Sequence, residues 1–147
     1  MRIRPYIPDK DYEYVSKWID SERTHALWCA NRLPYPMTRK SFHDFMEKIS
    51  TDWSDSAYTT TEDCVQSIGF FRYSVNTEDN VGFLKFVVTD STKRGMGYGK
   101  AMLKLALKYA FQITGARAVQ LNVFKENTWA KHCYESIGFV EKNIEAS

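Results

Sequence analysis

Lys93-Arg94-Gly95-Met96-Gly97-Tyr98-Gly99-Lys100 is the stretch on which the reading of this chain turns. Just before it, Phe83-Leu84-Lys85-Phe86-Val87-Val88 is rich in β-branched and aromatic side chains and predicts a largely buried strand. Just after it, Ala101-Met102-Leu103-Lys104-Leu105-Ala106-Leu107-Lys108-Tyr109-Ala110 consists mostly of strong helix formers, and Gly115 closes the segment. Three glycines at alternate positions, flanked by basic residues, therefore stand where a strand gives way to a helix. The first turn of a helix carries unpaired N–H groups and partial positive charge, and residues without side chains let an anion approach that backbone. The pattern predicts a ligand that carries phosphate.

Two common phosphate loops do not fit. A Walker A loop needs a glycine where Arg94 stands and Ser or Thr where Ala101 stands. A dinucleotide fingerprint started at Gly95 or Gly97 would need glycine at Lys100 or Met102. Arg94-Gly95-Met96-Gly97-Tyr98-Gly99 instead resembles the (Gln/Arg)-x-x-Gly-x-(Gly/Ala) loop of GNAT-type N-acetyltransferases. A second stretch, Leu121-x-Val123-x-x-x-Asn127-x-x-Ala130-x-x-x-Tyr134-x-x-x-Gly138-Phe139, is similar to that family's other coenzyme-side signature. Together the two span about residues 81–140, and both occur in the family's order.

The resemblance implies an α/β chain of the GNAT fold, with a mixed central sheet flanked by helices, and acetyl-CoA as co-substrate with no metal. The backbone of Val87, Val88 and Thr89 would pair with the pantetheine arm. Amides of Arg94, Gly95, Met96, Gly97, Tyr98, Gly99 and Lys100 would hold the pyrophosphate, with Asn127 in contact with the coenzyme. Tyr134 would return a proton to the leaving thiolate, and a phenol of ordinary pKa near ~10 is protonated at neutral pH, as that role requires. Local chemistry also offers plainer roles. Asn127 is a good helix N-cap, and Tyr134 falls on one helix face with Ala130, Cys133 and Ile137, the spacing of a core aromatic.

Attack on a thioester needs an unprotonated amine, and enzymes commonly use a carboxylate to provide it. Family members often carry a Glu on the strand before the glycine loop or on the next one. Here those strands offer Phe83, Lys85 and Val87, and then Asn122. Asn122 holding a water, Glu22, or the neutral imidazole of His25 are the substitutes on offer. His43 and His132 read as solvated helix positions.

The remaining chain supports one domain over residues 1–147. Arg2 to Ile7 alternates as a first strand, and Asp9 or Asp11 is placed to cap a helix carrying Tyr12, Val15, Trp18 and Ile19 on one face. Ser21 to Ala30 is helical, and Thr38 caps a third helix with Phe42, Phe45, Met46 and Ile49 at amphipathic spacing. Residues 51–63 read as a polar loop, a weak strand, or both. Val65 to Val75 and Ala118 to Phe124 complete the strands, and Asn127 opens a last helix ended by Gly138. The family usually adds two strands after Gly-Phe, whereas only Val140 to Ser147 remain here. A shortened or missing C-terminal strand leaves a sheet edge that favours a homodimer.

A net charge of +2 gives no broad basic field for nucleic acid. No apolar run reads as a signal peptide or membrane span, and Cys29, Cys64 and Cys133 lack metal-ligand spacing, so a cytoplasmic protein is expected. The function expected is transfer of acetyl from acetyl-CoA to a primary amine, borne by a small molecule or peptide. The alternative is a non-catalytic acyl-CoA-binding regulatory module.

Overall fold

The computed structural model describes residues 1–53, 55–62, 66–93 and 95–142. Strand β1 (Arg2–Pro5) leads into helix α1 (Pro8–Trp18), where Pro8 supplies a ready-made helical φ in the first turn. Ile7 is the N-cap, and the Asp11 carboxylate reaches back to accept from the Ile7 N–H at 2.8 Å. Helix α2 (Glu22–Cys29) is capped by Ser21, whose hydroxyl accepts from the Thr24 N–H at 3.1 Å. Helix α3 (Arg39–Trp53) begins after Thr38, which accepts from the Ser41 N–H at 3.0 Å, and it buries Phe42, Met46 and Ile49. Four more strands follow, β2 (Ser56–Glu62), β3 (Gln66–Asn76), β4 (Val81–Thr89) and β5 (Ala118–Leu121), with helix α4 (Tyr98–Gln112) between the last two and α5 (Thr128–Ser136) after them.

The five strands lie in the order β1-β2-β3-β4-β5. The first three pairings are antiparallel, and β4 pairs with β5 in parallel through the α4 crossover. Alternation along β3 sends Phe70 to a core under α1 to α3, and Phe71 and Tyr73 to a second core under α4. Helix α4 turns Met102, Leu103, Ala106 and Ala110 onto that second face. Mixed α/β architecture with helices on both faces is therefore as expected from the sequence.

Strand β4 carries the irregularity that makes the site. Phe70 faces Val88 but Arg72 faces Lys85, so β4 holds one extra residue opposite β3. Phe86 sits in the left-handed region with φ 53°. Leu84 belongs to the core under α4, yet Phe86, two residues on, belongs to the opposite core with Trp18 and Phe42. In a regular strand both would share a face; the bulge moves Phe86 across. Pairing with β5 ends at Leu84–Leu121, while β4 runs on to Thr89. The two strands part there.

Several expectations need correction. Of the readings open for 51–63, the strand around 57–60 holds, while 51–53 end α3. Residues 56–62 pair with β3 and 58–61 also with β1, with a bulge between Thr60 and Thr61 and all of Thr59, Thr60 and Thr61 buried. β5 stops at Leu121 rather than Phe124, so Asn122 lies just beyond the strand. His43 is not solvated: its ring packs against Tyr12 and Phe42, and Tyr6 Oη lies 2.9 Å from its Nε2. Residues 140–142 form no strand; 143–147 fall outside the described residues, as do Val65, Cys64 and Arg94.

Candidate active site

Where β4 and β5 separate, a cleft passes through the plane of the sheet. On the α4–α5 side its wall includes Leu103, Asn127, Trp129, Cys133 and Tyr134. On the α1–α2 side it includes Trp18, Thr24, Leu27 and Trp28, with the β4 backbone from Leu84 to Thr89 between the two. A second depression lies over the glycine loop and shares Thr89, Gly99, Trp129 and Cys133 with the first, so one continuous groove runs from loop to cleft.

The loop is shaped for an anion. Asp90 organises its approach, accepting from the Thr92 N–H at 2.9 Å and hydroxyl at 2.6 Å, which holds the short 3-10 turn Ser91–Lys93. Gly95 and Gly97 take φ of 84° and 78°, a region that costs other residues strain. Gly97 is the N-cap of α4 and makes no side-chain cap bond; the first intrahelical bond runs from Ala101 N–H to Gly97 O at 3.0 Å. The amides of Tyr98, Gly99 and Lys100 therefore face the groove end of the helix dipole without an intrahelical acceptor. A Cβ built on Gly97 would meet nothing within 4 Å, so the space beside the loop is open to a ligand. Lys93 and Lys100 border it, and Met96 is 64% exposed.

Tyr134 lines the cleft from α5 and packs edge-on against Phe139, ring centroids 6.0 Å apart. Burial, with a smaller push from Cys133, raises its phenol to about 12. It keeps its proton throughout the neutral range. Burial also raises the Cys133 thiol, against an opposing pull from Lys100, so this cysteine is a thiol and a weak nucleophile. Asn127 caps α5, its Oδ1 3.4 Å from the Ala130 N–H, and it also lines the cleft. The two readings of Asn127 are thus compatible. Asn122 is exposed at the mouth.

The proposed substitutes for a general base separate cleanly. His25 is fully buried, 3.5 Å from Cys29 Sγ and packed against Tyr35, and is absent from the lining. Glu22 is exposed and does not line the cleft either. Among the described residues no carboxylate lines the cleft, and no group of His, Cys, Asp or Glu could hold a metal ion.

Two features of the site escaped sequence reasoning. Trp28 Nε1 donates to the Phe86 carbonyl at 2.9 Å, tying α2 to the bulge. Arg72 and Lys85, cross-strand neighbours, share the buried Asp55: Arg72 Nε lies 2.6 Å from Oδ1 and Lys85 Nζ 3.2 Å from Oδ2. Basic residues inside two apolar strands were the available signal, but their partner sits in a stretch read as polar loop.

Residues 12–139 match the acetyltransferase (GNAT) family. A stretch of 49 residues, 33% of this chain, is 39% identical to the spermidine N(1)-acetyltransferase of Vibrio cholerae serotype O1, and covers only 28% of that relative's length. Among solved structures, spermidine N-acetyltransferase from Vibrio cholerae in complex with CoA and spermine superposes with a TM-score of 0.79 at 20% identity, covering 97% of this chain and 82% of that one. A putative acetyltransferase from Agrobacterium tumefaciens superposes at 0.72 with 18% identity, covering 100% and 98% of the two chains. At those identities the superpositions speak for the fold, whereas the family match extends over both the glycine loop and Tyr134. This chain belongs to the acetyltransferase (GNAT) family.

Proposed function

We propose that this chain transfers the acetyl group of acetyl-CoA to a primary amine by direct attack of the amine on the thioester. The observation that carries the reading is the passage between β4 and β5, with the open N-terminus of α4 and its glycine loop on one side and Trp18, Leu27 and Trp28 on the other. Beyond Leu84, β4 has lost its β5 partner while β3 still pairs its other edge. The backbone of Val87, Val88 and Thr89 thus offers N–H and C=O groups to the amide-bearing pantetheine arm, which would bind as an added strand. The pyrophosphate would sit against the amides from Gly95 to Lys100, with Lys93 and Lys100 supplying charge.

This placement brings the thioester beside Tyr134. As the amine nitrogen bonds to the carbonyl carbon and the C–S bond breaks, the departing sulfur takes the phenolic proton of Tyr134, which Tyr134 then recovers from solvent water. The amine itself must arrive neutral. Partial desolvation against the buried rings of Trp18 and Phe86 disfavours the ammonium form, and the nearby Lys85 cation disfavours it further. The proton released goes to water at the mouth, where Asn122 can hold a solvent molecule. Cys133, held as a thiol, carries no acyl group. Among the described residues no strand pairs the outer edge of β5, and through that edge a homodimer would form.

Acetyl-CoA-dependent release of free thiol, measured across peptides, polyamines, aminoglycosides and simple amines, tests the reading. Turnover with acetylated product detected by mass spectrometry is expected. Acetyl-CoA binding without turnover on any amine would return the chain to a coenzyme-binding module.

A further inference from the structure

We infer that the acceptor is a monoamine on an apolar or aromatic body, of the arylalkylamine kind, and not a polyamine; the inference rests on the acetyl-transfer reading above. The acceptor wall is built from Trp18, Leu27, Trp28 and Phe86. Trp18 is 5% exposed and Phe86 7%, so on this side of the cleft the rings are set into the core. The indole N–H of Trp28 is committed to the Phe86 carbonyl, and the Thr24 hydroxyl accepts from Ser21 at 2.9 Å. Beyond the Thr24 hydroxyl, this side of the wall offers a substrate few polar side-chain groups.

Charge sharpens the choice. The one charged side chain among the described lining residues is Lys85, a cation, whose carboxylate partner Asp55 is also held by the fully buried Arg72. A second cation, the Arg32 guanidinium, lies 5.6 Å from the Phe86 ring centroid. A polyamine that presents one neutral nitrogen to the thioester keeps at least one more ammonium. Here that ammonium would meet the rings of the acceptor wall beside the Lys85 cation, with no carboxylate among the described lining residues to offset its desolvation. An arylalkylamine gives up only its reacting charge, and its ring finds aromatic neighbours. This chain therefore parts from the spermidine-named relatives at the acceptor.

The test compares kcat/KM for 2-phenylethylamine and for spermidine at saturating acetyl-CoA, with acetyl-CoA binding followed separately by calorimetry. The inference predicts a preference for phenylethylamine of about tenfold or more. It also predicts that Leu27→Glu reverses the preference toward spermidine. Thr24→Glu, which adds a carboxylate at a helix position where Glu completes a capping box and is tolerated, should shift it the same way. Equal or better use of spermidine by the unaltered protein overturns the inference while leaving acetyl transfer intact. Phenylethylamine left untouched with acetyl-CoA bound overturns it as well. Absence of acetyl-CoA binding would instead strike at the underlying reading.

Discussion

The indole of Trp28 donates to the carbonyl oxygen of Phe86 at 2.9 Å, and that bond joins helix α2 to the bulge where β4 leaves β5. Phe86 is a non-glycine residue at φ 53°, a conformation held only when its surroundings support it. The Trp28 ring reinforces the geometry by packing on Phe86, centroids 5.6 Å apart. A residue that looks like a pocket aromatic is thus also a clamp on the strand that would bind the coenzyme.

Trp28→Phe keeps an aromatic ring and removes the donor. The expected result is a loss of about 1–2 kcal/mol in stability, from a buried carbonyl left without its partner. The KM for acetyl-CoA should rise as well, because the bulge positions Val87 to Thr89. Denaturant titration and steady-state kinetics measure both; an unchanged KM would confine Trp28 to the acceptor wall.

Tyr134→Phe removes the proton donor and leaves the ring against Phe139. Turnover should fall roughly 10²-fold while acetyl-CoA affinity changes little. With the phenol pushed to about 12, its ionisation should not set the alkaline limb of the pH–rate profile anywhere below that value. Cys133→Ala, by contrast, should keep most of the turnover. Loss of activity in the alanine variant, with acyl-enzyme detected by mass spectrometry in the unaltered protein, would replace direct attack by a relay through Cys133.

Gly97→Val places a β-branched residue at φ 78° beside the open groove. Gly115 offers a matched control, since its φ is 71°, its Cβ would also meet nothing within 4 Å, and it lines neither depression. Both variants should lose about 1–3 kcal/mol from backbone strain. Only the valine at Gly97 should weaken acetyl-CoA binding, by about tenfold or more in calorimetry. Equal affinity in the two variants would remove the phosphate role from the loop.

Asp11 provides a pH dependence away from the site. Burial raises its carboxyl, but bonds from Arg4, the Ile7 N–H, Ser67 and Thr59 outweigh that and hold it below the ordinary carboxylate value. A depressed pKa in the folded state means the stabilisation is complete above the ordinary carboxylate pKa. It is lost as pH falls from there through the folded value. Asp11→Asn should therefore lower stability by about 2–4 kcal/mol at neutral pH and flatten the acid limb of the Tm profile. An acid limb identical to that of the unaltered protein would show that other carboxylates control it.

The half of the molecule proposed to hold the coenzyme is legible in the sequence because its conformational requirements are backbone requirements. Glycines at positive φ, a helix start without a capping side chain and Asn127 as an N-cap all leave marks at fixed spacing in the sequence. The acceptor half was less legible because its contacts are long-range. Nothing local announces that Trp28 meets Phe86, or that Asp55 serves Arg72 and Lys85 from a stretch that reads as polar loop. The extra residue in β4 is invisible for a related reason: Phe83 to Val88 is apolar at nearly every position, so its alternation does not reveal the slip that carries Phe86 across the sheet. His43 misled because a helix pattern assigns a face, while Tyr6 reaches its ring from 37 residues earlier in the chain.

The most direct test of coenzyme binding at the α4 terminus is a titration with CoA followed by NMR on protein labelled with ¹⁵N-glycine. The chain has seven glycines, so each amide is separately assignable. The account predicts large shifts for Gly95, Gly97 and Gly99, with Gly115 and Gly138 nearly still. Shifts concentrated at Gly115 or Gly138, or no shift at saturating CoA, would contradict it.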